Sequence, residues 1–427
     1  MRDRPNILLI ICHDLGRQLS CYDRPTHSPG IDRLAAEGVQ FDQYFVCAPQ
    51  CSPSRACLIS GRFPHRTGVL GLVGKWGWQM DGQVPTLPKV LAEAGYDTWL
   101  WGFQHEHPDP AALGYRHDPI GYQRGDVPSI MADFVAPRFC DWLQSKPAGP
   151  WFCSVGFYET HLGWPRRQAT AQQLRDKQVP PDLPDSPELR QDMLNFDRSL
   201  HQADRNVERI LDALDRSGQA DQTLVIFTTD HGLPLPRAKC DLRDAGLEAA
   251  LLMRWPQHLA ANRRCSELLS GVDLMPTLLA LAGVEAAPQV DGESFAGLLT
   301  GGHFQPRDAI YAEQTWHDQY RPLRSIRTSR HKLIQRFNDF PENVLPADFY
   351  QTCAAAPQFS ATLDRVVPAG LEFYDLATDP LELKPHRSSS PGHLPAPGAR
   401  LHDALVEWMV RTDDPLLQGP VECPGTT

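Results

Sequence analysis

Two uninterrupted apolar runs set the tightest limit on what this chain can fold into: Asn6-Ile7-Leu8-Leu9-Ile10-Ile11 and Thr223-Leu224-Val225-Ile226-Phe227-Thr228-Thr229. A strand with one wetted face alternates polar and apolar residues. A run without alternation reads as a strand buried on both faces, in a parallel sheet covered by helices. Both runs stop at polar residues, His13-Asp14-Leu15-Gly16 after the first and Asp230-His231-Gly232 after the second. Open α/β sheets gather their ligands at the carboxyl ends of parallel strands. An aspartate at such a place serves either as a metal ligand or as a helix cap or loop anchor, and position alone leaves both open for Asp14.

The rest of the chain supports a large α/β unit. Residues 29–38 read as a helix with proline at its start and glycine past its end. Strands are expected over 39–46, 96–101, 151–157 and 247–255, and helices over 86–94, 130–143 and 188–216. With 427 residues, 41% of them hydrophobic, the chain can bury a sizeable core and divide into one large unit and a smaller appendage. A formal charge of −11 argues against a nucleic-acid partner. The start, Met1 to Pro5, is charged, and the apolar run to Cys12 is too short for a signal peptide or a membrane span. Eleven cysteines, an odd number without paired spacing, fit free thiols. The expectation is a cytoplasmic protein without a membrane partner.

Chemistry concentrates at Cys51-Ser52-Pro53-Ser54-Arg55, with Gly61-Arg62 six residues on. A cysteine at the mouth of a helix meets unpaired N–H groups and a partial positive charge. Arg55, at i+4, shares its face, so a tetrahedral oxyanion there would meet backbone donors and a guanidinium together. The alternative is a buried cysteine packing a helix start.

The run C-x-P-S-R followed by G-R resembles the signature of the sulfatases. That resemblance implies an alkaline-phosphatase-like α/β/α sandwich with a mostly parallel central sheet over 1–304, and a small C-terminal α+β subdomain with an antiparallel sheet over 305–427. It also implies that Cys51 is oxidised after translation to formylglycine, by a formylglycine-generating enzyme that acts as a maturation partner. The family has an Asp-Asp pair where His13-Asp14 stands and D-N-G or D-H-G where Asp230-His231-Gly232 stands. By that likeness Asp14, Asp230 and His231, with His13 joining, would hold one divalent metal. Calcium is expected on family grounds, with magnesium or a transition metal as alternatives. Arg55, His105, His161 and Lys239 fall where the family has its catalytic groups, and Phe103 replaces a lysine. Glu159 reads as a rim residue or substrate contact.

Past Gly301-Gly302 the pattern turns to short strands, and Phe373 to Pro380 resembles the family's Y-D-L-x-x-D-P. Within the family the likeness is nearest to the N-sulfoglucosamine sulfohydrolases, through C-S-P-S-R-A, the stretch after Thr223, and the region of Trp316, His317 and Arg324, which would lie at the substrate pocket's edge. The implied substrate is a sulfated sugar, as sulfate ester or sulfamate. A phosphonate or phosphodiester hydrolase of the same superfamily is one alternative, and a catalytically inactive sulfated-glycan binder is another, because two expected positions are changed.

Overall fold

The computed structural model describes residues 4–121, 125–285, 289–342, 346–363 and 365–426. Met1 to Asp3 of the charged start, and 122–124 of the loop after His107, lie outside these. Among the described residues, seven strands form the central sheet: β1 (Asn6–Cys12), β2 (Val39–Phe45), β3 (Asp97–Gly102), β4 (Trp151–Phe157), β5 (Thr223–Thr229), β6 (Leu251–Arg254) and β7 (Arg263–Ser270), in the order β3-β4-β1-β5-β6-β2-β7. β3, β4, β1 and β5 run parallel; β6 is antiparallel to both its neighbours, which returns β2 to the common direction. β7 lies parallel to β2, so the carboxyl ends of six strands share one edge.

Sandwich layering follows from the apolar runs. Ile7, Leu9 and Ile11 of β1 join one hydrophobic cluster, and Leu8, Ile10 and Cys12 join another. Helices cover both faces because successive strand residues point to opposite sides. The long helix Pro187–Ser217 and the helix Ala132–Gln144 close one face, while Cys51–Ser60, Leu87–Glu93 and Leu274–Leu281 close the other. No helix among the described residues is long and apolar enough to cross a membrane.

A second sheet, antiparallel, holds β8 (Ile310–Trp316), β9 (Tyr320–Arg327) and β10 (His331–Arg336). A small pair follows, β11 (Phe340–Pro341) with β12 (Val366–Val367), before β13 (Gly370–Asp375) and β14 (His386–Ser388) complete the larger sheet. Helix Ala396–Arg411 packs Leu405, Trp408 and Met409 with Ile326, Leu333 and Phe373. Leu224 and Ile226 of the central sheet belong to the same apolar cluster as Ile310, Leu323 and Ile334, so the two sheets share a core.

Arg324, expected at the pocket's edge, lies elsewhere. It pairs with Glu313 across β8 and β9, is fully buried, and forms a two-pronged pair with Asp414 besides lying 3.1 Å from Glu313. His65 donates from Nδ1 to the same Glu313 at 2.9 Å. The guanidinium is a structural clamp between the sheet and the C-terminal segment. Removing one member of a buried charge network leaves the others uncompensated. Arg324→Ala is expected to cost about 3–5 kcal/mol in denaturant unfolding, and a loss under about 0.5 kcal/mol would contradict this assignment.

Candidate active site

The shared carboxyl edge brings together residues that are far apart in sequence. β1 delivers His13 and Asp14, β5 delivers Asp230 and His231, β3 is followed by Phe103 and His105, and β4 by His161. β2 leads through a short connection to Cys51, the first residue of its helix, and all ten residues of that helix are buried. Gly232 is required where it stands: a Cβ there would lie 1.9 Å from the carbonyl oxygen of Ala245.

Asp14 and Asp230 have no solvent exposure. Unpaired, such charges would be prohibitive, so each is surrounded by partners. Asp14 accepts from Lys239 Nζ at 2.8 Å and from His13 Nδ1 at 2.6 Å, and holds left-handed backbone at φ 52°. Asp230 accepts from Arg55 Nε at 2.9 Å through one oxygen and from the backbone N–H groups of Asp14 and His231 through the other. His231 donates from Nδ1 to the Gly232 carbonyl at 3.0 Å, which turns Nε2 toward Asp14 Oδ1, 3.0 Å away but not aligned for a hydrogen bond.

Electrostatics follow from this nest. Burial opposes charge on both imidazoles, yet the neighbouring carboxylates win: His13, beside Asp14 and Asp230, is pushed up to about 9, and His231 to about 10. His161 goes the other way, to about 4, through burial first and the Lys239 ammonium second. Cys51 is held well below the usual thiol range; burial works against this, but Lys239 and His13 outweigh it.

Do these residues suit a metal? One donor atom each from His13, Asp14, Cys51 and His231 lies within 4.8 Å of the other three. Arg55 Nη2, His105 Nδ1 and His231 Nε2 are buried without hydrogen-bond partners. Orphaned polar atoms at one place are rare in finished interiors and point to an absent group. An Nδ1–H given to a backbone carbonyl with Nε2 left over is also how ligating histidines are oriented. The donor set fits a divalent ion, which would displace imidazole protons on binding. Asp230 stands beside the four-residue group, both its oxygens engaged within the protein.

Other residues are sorted by the fold. His105 donates from Nε2 to the Val73 carbonyl at 3.2 Å, leaving Nδ1 unpartnered. His161 stacks on Tyr158 and meets His13 edge-on at 4.6 Å between ring centres. His317 reaches the centre: its imidazole is held well above its usual range by Cys240, Asp318 and Cys51, against the opposing effect of burial. Trp316 stays at the periphery, its indole N–H given to the Val421 carbonyl at 2.9 Å. Glu159 is not a rim residue; it is buried and caps the helix Ala132–Gln144 through the Ala132 N–H. Asp348 was not legible beforehand. Its carboxylate lies 3.5 Å from His161 and 4.0 Å from Lys239, carried by a short helix, Ala347–Thr352, with no motif of its own.

The α/β/α layers with polar groups gathered at one sheet edge make up an alkaline-phosphatase-like fold, shared with solved structures. A sequence model of the sulfatase family matches residues 5–284, and one described as N-sulphoglucosamine sulphohydrolase, C-terminal, matches residues 239–348. The chain belongs to the sulfatase family and is by class a sulfuric ester hydrolase. It is 26% identical over 478 residues to human N-sulphoglucosamine sulphohydrolase, covering 98% of this chain and 93% of that protein. It is 25% identical over 452 residues to an ulvan-active sulfatase of Formosa agariphila, covering 100% and 84%. A structure solved in complex with its substrate D-glucosamine-2-N,6-O-disulfate shares the fold at a TM-score of 0.74 and 19% identity, over 96% of this chain and 99% of that one.

The two departures from the family pattern touch each other. His13 and Phe103 stack with ring centres 5.1 Å apart, and the Arg55 guanidinium lies 4.8 Å from the Phe103 ring centre. His13→Asp and Phe103→Lys are each expected to lower activity, and the double variant to recover it, read as a coupling in a double-mutant cycle; simple additivity would contradict a compensating pair. For the metal, calcium or another divalent ion at a hundredfold excess over its dissociation constant is expected to stabilise the fold by about 2.7 kcal/mol. Asp14→Ala should abolish that thermal shift, and a shift that persists would place the ion elsewhere.

Proposed function

We propose that this protein hydrolyses sulfated sugars, with glucosamine N-sulfate as the preferred class, using a formylglycine made from Cys51 and one divalent ion. The observation that carries the reading is the convergence of Cys51 with His13, Asp14 and His231 beneath two buried cations, Arg55 and Lys239. The match of residues 239–348 to the N-sulphoglucosamine sulphohydrolase C-terminal model supports the sugar class. The ten cysteines besides Cys51, all free thiols, support a reducing compartment.

His13, Asp14 and His231 would hold the ion, with Asp230 beside them; family grounds favour calcium. When bound it supplies Lewis acidity toward a sulfate oxygen. The hydrated aldehyde supplies two hydroxyls on one carbon, one to take the sulfuryl group and one to release sulfate by re-forming the carbonyl. The chain's own groups do the rest. Arg55 Nη2, unpartnered and buried, and Lys239 Nζ donate to sulfate oxygens as charge builds. His105 and His161 divide the proton traffic, one giving a proton to the leaving oxygen or nitrogen and the other accepting the proton that starts sulfate release.

Mass spectrometry of the Cys51 peptide, after expression with a maturation enzyme, should show the aldehyde. An active preparation carrying only the thiol would sink the mechanism. Turnover of glucosamine N-sulfate should exceed that of sugar O-sulfates and of matched aryl phosphonates and phosphodiesters; faster phosphonate cleavage would move the assignment to that class.

A further inference from the structure

We infer that Trp76 is a stacking platform for the sugar ring that follows the sulfated one, so that the enzyme acts on oligosaccharides and grips the residue beyond the pocket. This rests on the sulfated-sugar reading and extends it to a second binding position.

Trp76 is 40% exposed, the one tryptophan among the described residues counted with the exposed large hydrophobics. Its ring belongs to none of the apolar clusters, although Trp78, two residues away, is buried against Leu70 and Cys423. The backbone nevertheless holds it in place firmly. Trp76 has φ 62°, the one aromatic residue with left-handed backbone among the described residues, and a bulky side chain adopts that region only when its surroundings impose it. The imposition is visible: the Trp76 carbonyl accepts from the Gly425 N–H at 2.8 Å and from Cys423 Sγ at 3.2 Å. Gly77 beside it is equally constrained, since a Cβ there would sit 3.2 Å from the Gly425 nitrogen. The C-terminal segment thus pins the loop through its backbone and leaves the indole exposed.

The same loop is built into the wall of the site. At its base the Val73 N–H donates to Ser52 Oγ at 3.0 Å, and the Val73 carbonyl takes the His105 Nε2–H. Lys75 pairs with Asp318 at 2.5 Å, next to His317. Trp76 is three residues from Val73, no more than about 11 Å of chain, and follows Lys75, whose partner Asp318 holds His317; we place the second ring at this loop. An indole face is electron-rich, and one face of a pyranose is a patch of weakly positive C–H groups, so the two attract without needing a hydrogen-bond code. The Lys75 ammonium, held by Asp318, lies 5.5 Å from the ring centre, the attraction of a cation for the same electron-rich ring.

The test compares glucosamine N-sulfate as a monosaccharide with a disaccharide carrying it at the non-reducing end, for the parent, Trp76→Ala and Trp76→Phe. Trp76→Ala is expected to lower kcat/KM on the disaccharide about tenfold, the scale of one lost stacking contact, mainly through KM. The monosaccharide should change less than about twofold, and Trp76→Phe should recover most of the loss. Equal losses on both substrates would make Trp76 structural, and no loss on the disaccharide would leave it without a role; either overturns the inference while the sugar reading stands. A parent enzyme that cleaves aryl sulfates but neither saccharide overturns both.

Discussion

Two carboxylates with no access to water, Asp14 and Asp230, impose most of the arrangement around them. Isolated, either would change protonation state before it stayed charged in such surroundings. Lys239, Arg55, His13 and His231 are all drawn in as counterparts, and each contact also fixes the orientation of the partner group. The left-handed backbone at Asp14 and the close approach of Gly232 to Ala245 belong to the same constraint, because both loops must bring their polar ends within bonding distance. The parallel alignment of β1, β4 and β5 makes that approach cheap, since the strand ends are already in register.

Completion of the site depends on the second sheet. β8 and β9 are joined by a turn that carries His317 and Asp318, and the chain after β11 returns with Asp348. The clamp formed by Arg324, Glu313, Asp414 and His65 ties that sheet both to the C-terminal segment and to the stretch just past the Cys51 helix. Its charge is spent on position, which is why an arginine that looked available to a substrate is sealed away.

His13 and Phe103, which stand where the family pattern has an aspartate and a lysine, lie side by side in the site. An aspartate and a lysine would bring opposite charges; in their place an imidazole pushed up to about 9, against burial, by Asp14 and Asp230 stacks on the uncharged Phe103 ring. Phe103 also lies against the Arg55 guanidinium, which is 4.8 Å from its ring centre.

By itself the sequence determined the layered α/β fold and the identity of the residues at its carboxyl edge. Unbroken apolar runs admit few other placements, and a strand's end is marked by the residue that interrupts it: the bounds of β4 and β5 were legible to the residue, along with Cys51, Asp14, Asp230 and His231. Only the tertiary structure decided which side chains are free to act. Arg324 and His317 lie seven residues apart on neighbouring strand and turn, yet one is spent in a buried clamp and the other faces Cys51. Glu159 caps a helix instead of lining a rim, and Asp348 enters the site from a segment without periodicity or motif. Those outcomes depend on which partner each charge meets across long separations in sequence, and no local pattern encodes them.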